Sequence, residues 1–178
     1  MVQTIPHFLK KNAKNFPKDI ALREKKFGIW KTKDWQQCME EVENITLGLY
    51  VKGITGKNTI GILGNNTPRW TLAEIAVQAL GSIPLGIYSD ALESEIIYLI
   101  DYSICRVVFV EDEEQADKIM SLTDSEEKID LIIYDEPKGM SKYEDKRLIS
   151  YQNLLKLGIE FKKNNVNLFN KLLEGINE

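Results

Sequence analysis

Cysteine and histidine are scarce in this sequence of 178 residues, which contains two cysteines, Cys38 and Cys105, and one histidine, His7. Two cysteines exclude a scaffold held together mainly by disulfide bonds. A single histidine argues against a zinc site built from Cys and His ligands. Concentrated positive charge is also missing, because 23 Lys and Arg stand against 27 Asp and Glu, for a net charge of -4. Nucleic acid is therefore not expected as a partner, since phosphate binding needs a basic surface.

Long hydrophobic runs are absent as well. The longest uncharged stretch, residues 75–89, includes Pro84 and is shorter than the roughly 20 residues that span a bilayer. Residues 1–16 carry scattered charges and no continuous apolar segment, so they do not have the pattern of a signal peptide. The sequence therefore predicts no transmembrane segment and a cytoplasmic location.

Apolar residues make up 43% of the chain, enough to form a core, and they follow helix and strand patterns. The first pattern predicts a helix that Thr4 caps and Pro17 ends. Two short strand patterns at 20–23 and 28–31 follow, separated by a turn at Phe27, and they predict an antiparallel hairpin. A second helix begins after Asp34, which has Gln37 at the spacing of a capping box, and it ends at Gly53.

From position 59 the chain alternates between buried strands and helices. The strands are predicted at 59–63, 83–88, 106–110 and 129–134, and the helices lie between them. The second crossover helix begins with the capping pair Asp90 and Glu93, and the third with Asp112 and Gln115. Strands joined by helix-length crossovers form parallel sheets. The predicted fold class is therefore α/β, with a mostly parallel sheet flanked by helices and a small amino-terminal hairpin.

The pattern weakens after Tyr134. Residues 135–146 are polar and are predicted to form a loop, and two short helical patterns follow, one around Tyr151 and one within 161–173. We therefore expect an α/β domain over residues 1–157. Residues 158–178 are expected to form a tail that is partly helical or disordered.

The nucleotide-binding and hydrolase motifs expected of parallel α/β folds are incomplete or missing in this sequence. Gly61 and Gly64 match only part of the dinucleotide fingerprint, because the third glycine is missing. Gly56-Lys57 follows a helix and precedes a strand, whereas a phosphate loop follows a strand and precedes a helix. There is no Gly-x-Ser-x-Gly motif, which excludes hydrolysis by that arrangement. The motifs by themselves therefore indicate no catalytic set.

Several isolated residues have a structural explanation. We expect His7 to be exposed or partly packed, and Cys38 and Cys105 to be small buried side chains. The acidic run at 111–114 is expected to complement the positive end of the helix that it precedes. Trp70, one turn into a capped apolar helix, is expected to be structural.

An ordered set of motifs runs through the chain. It comprises TIP at 4–6, FP at 16–17, IA at 20–21, WKT at 30–32 followed by Trp35, TIGILGNNTPRW at 59–70, ALGSIPLGIYSD at 79–90 and IYLIDYS at 97–103 followed by VVFV. The segment at 59–70 is similar to V-A-I-L-S-x-N-x-P-E-W, and the segment at 79–90 to A-x-G-A-V-x-V-P-I-Y-x-T/D. Together, over residues 4–157, the motifs resemble the amino-terminal part of long-chain fatty-acyl-CoA synthetases, which are AMP-binding enzymes of the AMP-forming acyl-adenylate family. Two positions depart from the family pattern: Lys57-Asn58 replaces Gly-Asp, and Arg69 replaces Glu.

The resemblance implies a ligase whose full-length form uses ATP, Mg and CoA in fatty acid metabolism. ATP and a fatty acid would give an acyl-adenylate and pyrophosphate, and CoA would then displace AMP. The family's Ser/Thr/Gly-rich loop ending in Pro-Lys-Gly, which holds the ATP phosphates, would lie beyond residue 178. The resemblance therefore assigns no catalytic, cofactor-binding or metal-binding residue, and no cofactor, to this segment.

We therefore expect an amino-terminal fragment of a long-chain fatty acid–CoA ligase that is inactive alone and has the rest of the ligase as its partner. Fatty acid, ATP and CoA would bind only to the full-length enzyme, which could associate peripherally with a membrane. A different hypothesis stays open: a free-standing α/β binding or interaction module without catalysis. A flavodoxin-like nucleotide binder is weaker, because no phosphate loop follows the first parallel strand.

Overall fold

The computed structural model describes residues 3–122 and 128–176 of the chain. Within these ranges the helices are α1 Ile5–Asn15, α2 Trp35–Val51, α3 Pro68–Ala79, α4 Glu93–Ser103, α5 Glu113–Leu122, α6 Tyr151–Lys162 and α7 Leu168–Gly175. The strands are β1 Ile20–Lys26, β2 Ile29–Asp34, β3 Thr59–Leu63, β4 Ile83–Ile87, β5 Val107–Val110, β6 Leu131–Tyr134 and β7 Leu148–Ser150. None of the helices in the described ranges combines the length and apolar character required to cross a membrane.

Five strands form one sheet in the order β4-β3-β5-β6-β7, and every pair in it is parallel. Ile60 of β3 aligns with Pro84 of β4 on one side and with Val107 of β5 on the other. The prediction of a parallel α/β fold over residues 59–134 is therefore confirmed. The physical basis is the crossover helices, which return the chain to the same edge of the sheet each time.

The amino-terminal hairpin is confirmed as antiparallel, but its strands are longer than the predicted 20–23 and 28–31. β1 and β2 pair from Lys26 opposite Ile29 to Ile20 opposite Asp34. Phe27 and Gly28 form the turn with φ values of 51° and 78°, and left-handed conformations of this kind allow a two-residue connection. β1 ends in four consecutive charged residues, Arg23 to Lys26, and β2 ends in Lys33 and Asp34, so hydropathy did not show the full extent of either strand.

Helices cover both faces of the sheet, so the central strands β3, β5 and β6 are buried on both sides. One core contains α1, α2, α3, α6 and α7, and the other contains α4 and α5. Successive strand residues alternate between these cores: Val107 and Phe109 lie in the first, and Val108 and Val110 lie in the second. Strands buried on both faces have continuous apolar runs, which is the pattern that the sequence showed.

Helix caps fix the start of the helices that approach the carboxyl ends of the strands. Asp34 accepts from the backbone N–H of Gln37 at 2.7 Å, and the Gln37 side chain accepts from the N–H of Asp34 at 2.9 Å, as predicted. The Trp70 N–H donates to the Thr67 hydroxyl at 3.2 Å. The predicted cap of α4 at Asp90 is wrong: α4 begins after Leu92, whose N–H donates to Glu95 at 2.8 Å.

Strand β7 falls in a region where the sequence predicted no strand. It pairs in parallel with β6, with Ile133 opposite Ile149, and extends the sheet to five strands. The loop predicted at 135–146 also contains a 3-10 turn at Met140–Lys142, where Met140 is buried in the second core. A three-residue strand is too short to show periodicity, which explains why the pattern failed here.

The carboxyl-terminal part packs on the first core. Helix α6 runs through the boundary predicted between residues 157 and 158, and Phe169 and Leu173 of α7 are buried against α2 and α3. Two glycines allow the helices α2 and α6 to cross closely, because a Cβ atom on Gly158 would collide with the carbonyl of Asn44 and one on Gly48 would collide with the carbonyl of Leu154. The division at 157/158 stays a prediction, and residues 177–178 of the tail lie outside the described residues.

Candidate functional site at the carboxyl edge of the sheet

Open α/β sheets bind ligands outside the carboxyl ends of the strands, where the strand order reverses. Here the order reverses between β3 and β5, because the chain crosses from β3 to β4 on one side and returns to β5 on the other. The residues that follow β3, β5, β6 and β7 are Gly64, Glu111, Asp135 and Tyr151. This edge is the place to look for a site.

The crevice between β3 and β5 contains the side chain of Glu111. Glu111 Oε2 accepts from the backbone N–H of Asn65 at 2.7 Å and from Asn65 Nδ2 at 2.9 Å. Gly64 has a φ of 153°, and a Cβ atom there would lie only 2.8 Å from Glu111 Cβ, so the close approach requires glycine. The Glu111 carboxylate thus lies where a doubly wound fold binds the phosphate group of a ligand. Its negative charge would repel a phosphate group.

A network of charged and aromatic side chains lies beside this crevice. Arg69, the second residue of α3, forms an ion pair with Asp135, and its guanidinium carbon lies 5.1 Å from the centre of the Tyr151 ring. The Tyr151 hydroxyl donates to Glu41 Oε1 at 2.8 Å, and Lys33 Nζ donates to Glu41 Oε2 at 2.5 Å. The network therefore joins the hairpin, α2, α3 and α6 at one edge of the sheet.

Tyr151 is the buried member of this network, with 2% of its surface exposed. Burial raises the pKa of the Tyr151 phenol well above its usual value, and the adjacent Glu41 carboxylate adds to the increase. The positive charge of Arg69 opposes both effects. Tyr151 therefore stays protonated at neutral pH and acts as a hydrogen-bond donor.

An open cleft of about 1010 Å³ separates the hairpin from this edge of the sheet. Its lining includes four basic residues, Lys26, Lys31, Lys33 and Arg69, and seven acidic ones, Glu24, Glu40, Glu41, Glu111, Asp112, Asp135 and Glu136. Lys26, Lys33 and Arg69 pair with Glu136, Glu41 and Asp135, respectively. A cleft with this excess of negative charge does not fit the triphosphate of ATP, which needs converging donors and cations.

Of the residues singled out from the sequence, Gly64 and Glu111 lie at this edge, and Cys38 is close enough to Lys33 and Glu41 for their charges to act on its thiol. His7 Nδ1 accepts from the Thr4 N–H at 3.3 Å and lies 2.8 Å from Thr4 Oγ1, so it helps to cap α1. Cys38 and Cys105 are both buried, as predicted. Among the described residues, no three His, Cys, Asp or Glu side chains come together as a candidate metal site.

The acidic run and Trp70 have structural roles. Asp112 accepts from the Gln115 N–H at 3.2 Å and caps α5, as predicted, whereas Glu111 turns away toward Asn65. Trp70 is partly buried against the first core and its ring covers Gly86, where a Cβ atom would lie 3.2 Å from Trp70 Cζ2.

Sequence reasoning missed the pairs Arg69–Asp135 and Tyr151–Glu41. The sequence contained one indication of such pairs. The charged residues Glu111 and Asp135 directly follow the buried strands β5 and β6, where a charged side chain usually has a partner of opposite charge or a hydrogen-bond donor.

Comparison with known proteins places this geometry in a family. The model of the family described as AMP-binding enzyme matches residues 9–163. The long-chain-fatty-acid–CoA ligase ACSBG2 of Homo sapiens is 27% identical over 122 residues, which cover 68% of this chain and 18% of that protein. The ACSBG2 ligase of Rattus norvegicus is 26% identical over 156 residues, covering 87% of this chain and 23% of that protein.

A solved structure shares the fold. The luciferase-like enzyme from the mealworm Zophobas morio superposes with a TM-score of 0.72 at 17% identity, covering 86% of this chain and 34% of the other. The chain spans about a fifth of the length of the two ligases that it matches, at 18% and 23%. Because the family match extends over most of the sequence, the chain belongs to the AMP-binding enzyme family.

Proposed function

We propose that this chain is the amino-terminal α/β part of a long-chain fatty acid–CoA ligase and has no ligase activity alone. One observation carries the proposal: the family match over residues 9–163 coincides with relatives named as long-chain ligases, of which the chain covers about a fifth. In this proposal residues 1–157 are the α/β subdomain, and residues 158–178 lead toward a phosphate loop supplied by the rest of the enzyme.

The full-length enzyme would convert ATP, a fatty acid and CoA into acyl-CoA, AMP and pyrophosphate, with Mg supporting the ATP. The residues of this chain do not fit ATP, because Glu111 fills the crevice at the switch point and the cleft has seven acidic residues against four basic ones. We therefore assign no step of the reaction to them. Their role is to build the sheet and to fix its carboxyl edge through the Arg69, Tyr151 and Glu41 contacts.

We also propose a partner and a cellular location for this chain. The partner is the remainder of the ligase, and the compartment is the cytoplasm. Peripheral contact with a membrane would suit a full-length enzyme that collects long-chain fatty acids. The two buried free thiols, Cys38 and Cys105, are compatible with a reducing compartment.

The test uses the gene beyond codon 178. We expect the reading frame to continue into a loop that is rich in Gly, Ser and Thr and contains Lys. The polypeptide translated through that frame, called the extended polypeptide below, should release pyrophosphate from ATP when given Mg, CoA and a long-chain fatty acid.

The 178-residue chain alone should give only the rate of the control without protein. Turnover by the chain alone contradicts the proposal. A stop codon after codon 178, with no adjacent reading frame for the rest of a ligase, supports the free-standing binding module instead.

A further inference from the structure

One side of the molecule exposes several large apolar side chains. It consists of the edge strand β4, the connection from β4 to α4, helix α4 and the residue after α4, and we call it the α4 face. Six side chains between 61% and 81% exposed define it: Ile83, Tyr88, Leu92, Tyr98, Tyr102 and Ile104. Tyr88 and Tyr98 line one groove and Tyr98 contacts Tyr102, and exposed apolar patches of this kind mark interaction sites on folded proteins.

The α4 face contains a groove. Between the end of β4 and α4 lies an open volume of about 550 Å³, lined by residues that include Gly86, Tyr88, Tyr98 and Leu99. The rings of Tyr98 and Tyr102 stack with their centres 5.6 Å apart and form one wall of the face along α4. Rigid aromatic rings in contact with water are typical of interface anchors, because they bury a large area with little loss of side-chain freedom.

Ile104 supports the same interpretation independently. It caps α4 with a φ of 53°, a left-handed conformation that a β-branched residue adopts only under strain and that glycine or asparagine adopts readily. Its side chain is 79% exposed, so packing within this chain does not compensate for the strain. An exposed, strained isoleucine is explained if its side chain packs against something outside the chain.

Charge indicates which partner fits. Residues 80–105 include four acidic residues, Asp90, Glu93, Glu95 and Asp101, and no basic residue. All four are exposed. Among the described residues, Lys128 pairs with Asp101 at 3.2 Å and Lys118 donates to the Ser89 carbonyl at 2.8 Å, so four carboxylates face these two ammonium groups. The acidic border disfavours a second copy of this chain, whose like charges would meet across a two-fold axis, and an anionic lipid surface.

The backbone of β4 also disfavours pairing with another copy. The N–H of Ile83 donates to Asn58 on the β3 side, so the backbone groups of Pro84 and Gly86 face outward. Pro84 has no N–H to donate, which weakens this edge for strand addition. Contact through side chains is therefore favoured over a continued sheet.

We propose that the α4 face docks the part of the ligase that this chain lacks, through an apolar surface bordered by Lys or Arg. This inference rests on the proposed function, and the length comparison supports it, because the relatives are about five times as long as their matched part. The partner surface would cover Tyr98, Tyr102 and Ile104 and would oppose the acidic border.

The test measures the accessibility of a single introduced thiol to a maleimide. Tyr102→Cys should react rapidly in the 178-residue chain and at least about tenfold more slowly in the extended polypeptide. Phe27→Cys, in the hairpin turn and 92% exposed, is the matched control and should react at similar rates in both. The unsubstituted proteins give the background from the buried Cys38 and Cys105. Equal rates for Tyr102→Cys in the two polypeptides overturn the proposal.

A second variant separates docking from folding. Ile104→Gly relieves the strained cap, so the 178-residue chain should melt at the same temperature or higher, while the thiol of Tyr102→Cys in the extended polypeptide should become more reactive. A lower melting temperature of the short chain would show that Ile104 packs within it and would contradict the proposal. Protection of Tyr102→Cys that rises with the concentration of the short chain would show self-association and would also overturn it.

The two proposals fail in different ways. An extended polypeptide that forms acyl-CoA but leaves Tyr102→Cys fully reactive refutes the α4 face alone. An extended polypeptide that protects Tyr102→Cys but forms no acyl-CoA refutes the ligase function and leaves the docking surface in place.

Discussion

Tyr151 connects three elements through one hydroxyl group and one ring. Its hydroxyl donates to Glu41 at 2.8 Å, and its ring is 2% exposed. Tyr151→Phe keeps the ring but leaves Glu41 with only Lys33, so we expect a loss of about 1–2 kcal/mol in the free energy of unfolding, measured in urea. Tyr102→Phe is the control, because its hydroxyl lies on an exposed ring, and it should change stability by less than about 0.5 kcal/mol. Equal losses would contradict a structural role for the Tyr151–Glu41 bond.

Because the Cys38 thiol is buried, we expect the free energy of unfolding to fall at alkaline pH. Burial, more than the neighbouring Glu41 and Asp34, raises the pKa of the Cys38 thiol from 9.0 to about 11, while Lys33 opposes the shift. Above pH 9 the unfolded chain releases this proton and the folded chain retains it, so stability falls as pH rises toward 11. We expect Cys38→Ala to reduce the loss of stability between pH 8 and pH 10 by about 1 kcal/mol relative to the unsubstituted chain.

Thiol reactivity gives a second measurement of the same group. Cys38 and Cys105 are both buried, and burial raises the pKa of the Cys105 thiol as it does that of Cys38. Neither should react with a disulfide reagent until the chain unfolds, since the thiolate is the reactive form. Rapid reaction of the folded chain at pH 8 would show that Cys38 is accessible and would remove the basis for the pH prediction.

Single residues also show what the sequence could not reveal. Arg69 looked like an inconsequential departure from a family pattern, yet it pairs with Asp135 and covers Tyr151. Its partners are distant in the sequence and become neighbours only when the parallel strands align. Burial of Cys38 and Cys105 and the caps at Asp34 and Asp112 were predictable, because local spacing and residue type determine them.

At the scale of elements, the crossing of α2 and α6 depends on glycine. A Cβ atom on Gly158 would collide with the backbone carbonyl of Asn44, and a backbone atom cannot move aside as a flexible side chain can. Gly158→Ala should therefore destabilise the chain by about 1–3 kcal/mol, although alanine is the better helix former. Thermal melting is the measurement, and a drop of several degrees is expected.

Gly175 provides the matched control for that substitution. It ends α7, and a Cβ atom there would meet nothing within 4 Å. Gly175→Ala should leave the melting temperature unchanged or slightly raise it, because alanine reduces the freedom of the unfolded chain. If Gly158→Ala were equally neutral, the packing of α6 on α2 would be looser than the structure indicates.

The elements that the sequence predicted are those with enough length to show a period. Strands β3 to β6 and helices α2 and α3 were recognised because apolar runs and caps agreed. β7 was missed because it has three residues, and the start of α4 was misplaced because Asp90 and Glu93 imitate a capping pair two residues before the one formed at Leu92 and Glu95. Tertiary pairing decides such short or ambiguous segments, and local spacing does not contain that information.

At the scale of the whole molecule, two surfaces have opposite characters. The carboxyl edge of the sheet is polar and contains the ion pairs Lys33–Glu41 and Arg69–Asp135, whereas the α4 face exposes large apolar side chains. Parallel strands alone would suggest a ligand site at the first surface. The filled crevice at Glu111 and the exposed rings at Tyr98 and Tyr102 instead direct attention to the second, where another part of an enzyme would bind.

This contrast yields a prediction for nucleotide binding by the chain alone. Lys26, Lys33 and Arg69 in the cleft each have a carboxylate partner, and the cleft lining keeps three more acidic than basic residues. Titration calorimetry with Mg-ATP at about 0.15 M salt should therefore give no saturable heat in the micromolar range, because residual attraction to surface lysines is screened. The extended polypeptide, measured under the same conditions, is the positive control.

Micromolar binding by the 178-residue chain would contradict this expectation directly. ATP bound in the crevice at the switch point would displace Glu111 from the backbone N–H of Asn65. Glu111→Ala distinguishes the two cases: it should strengthen ATP binding if the carboxylate competes with phosphate there, and it should leave the calorimetric signal flat if the cleft lacks a phosphate site. A flat signal for both proteins is the result that we expect, since removing one carboxylate does not supply the lysine and converging N–H groups that a triphosphate requires.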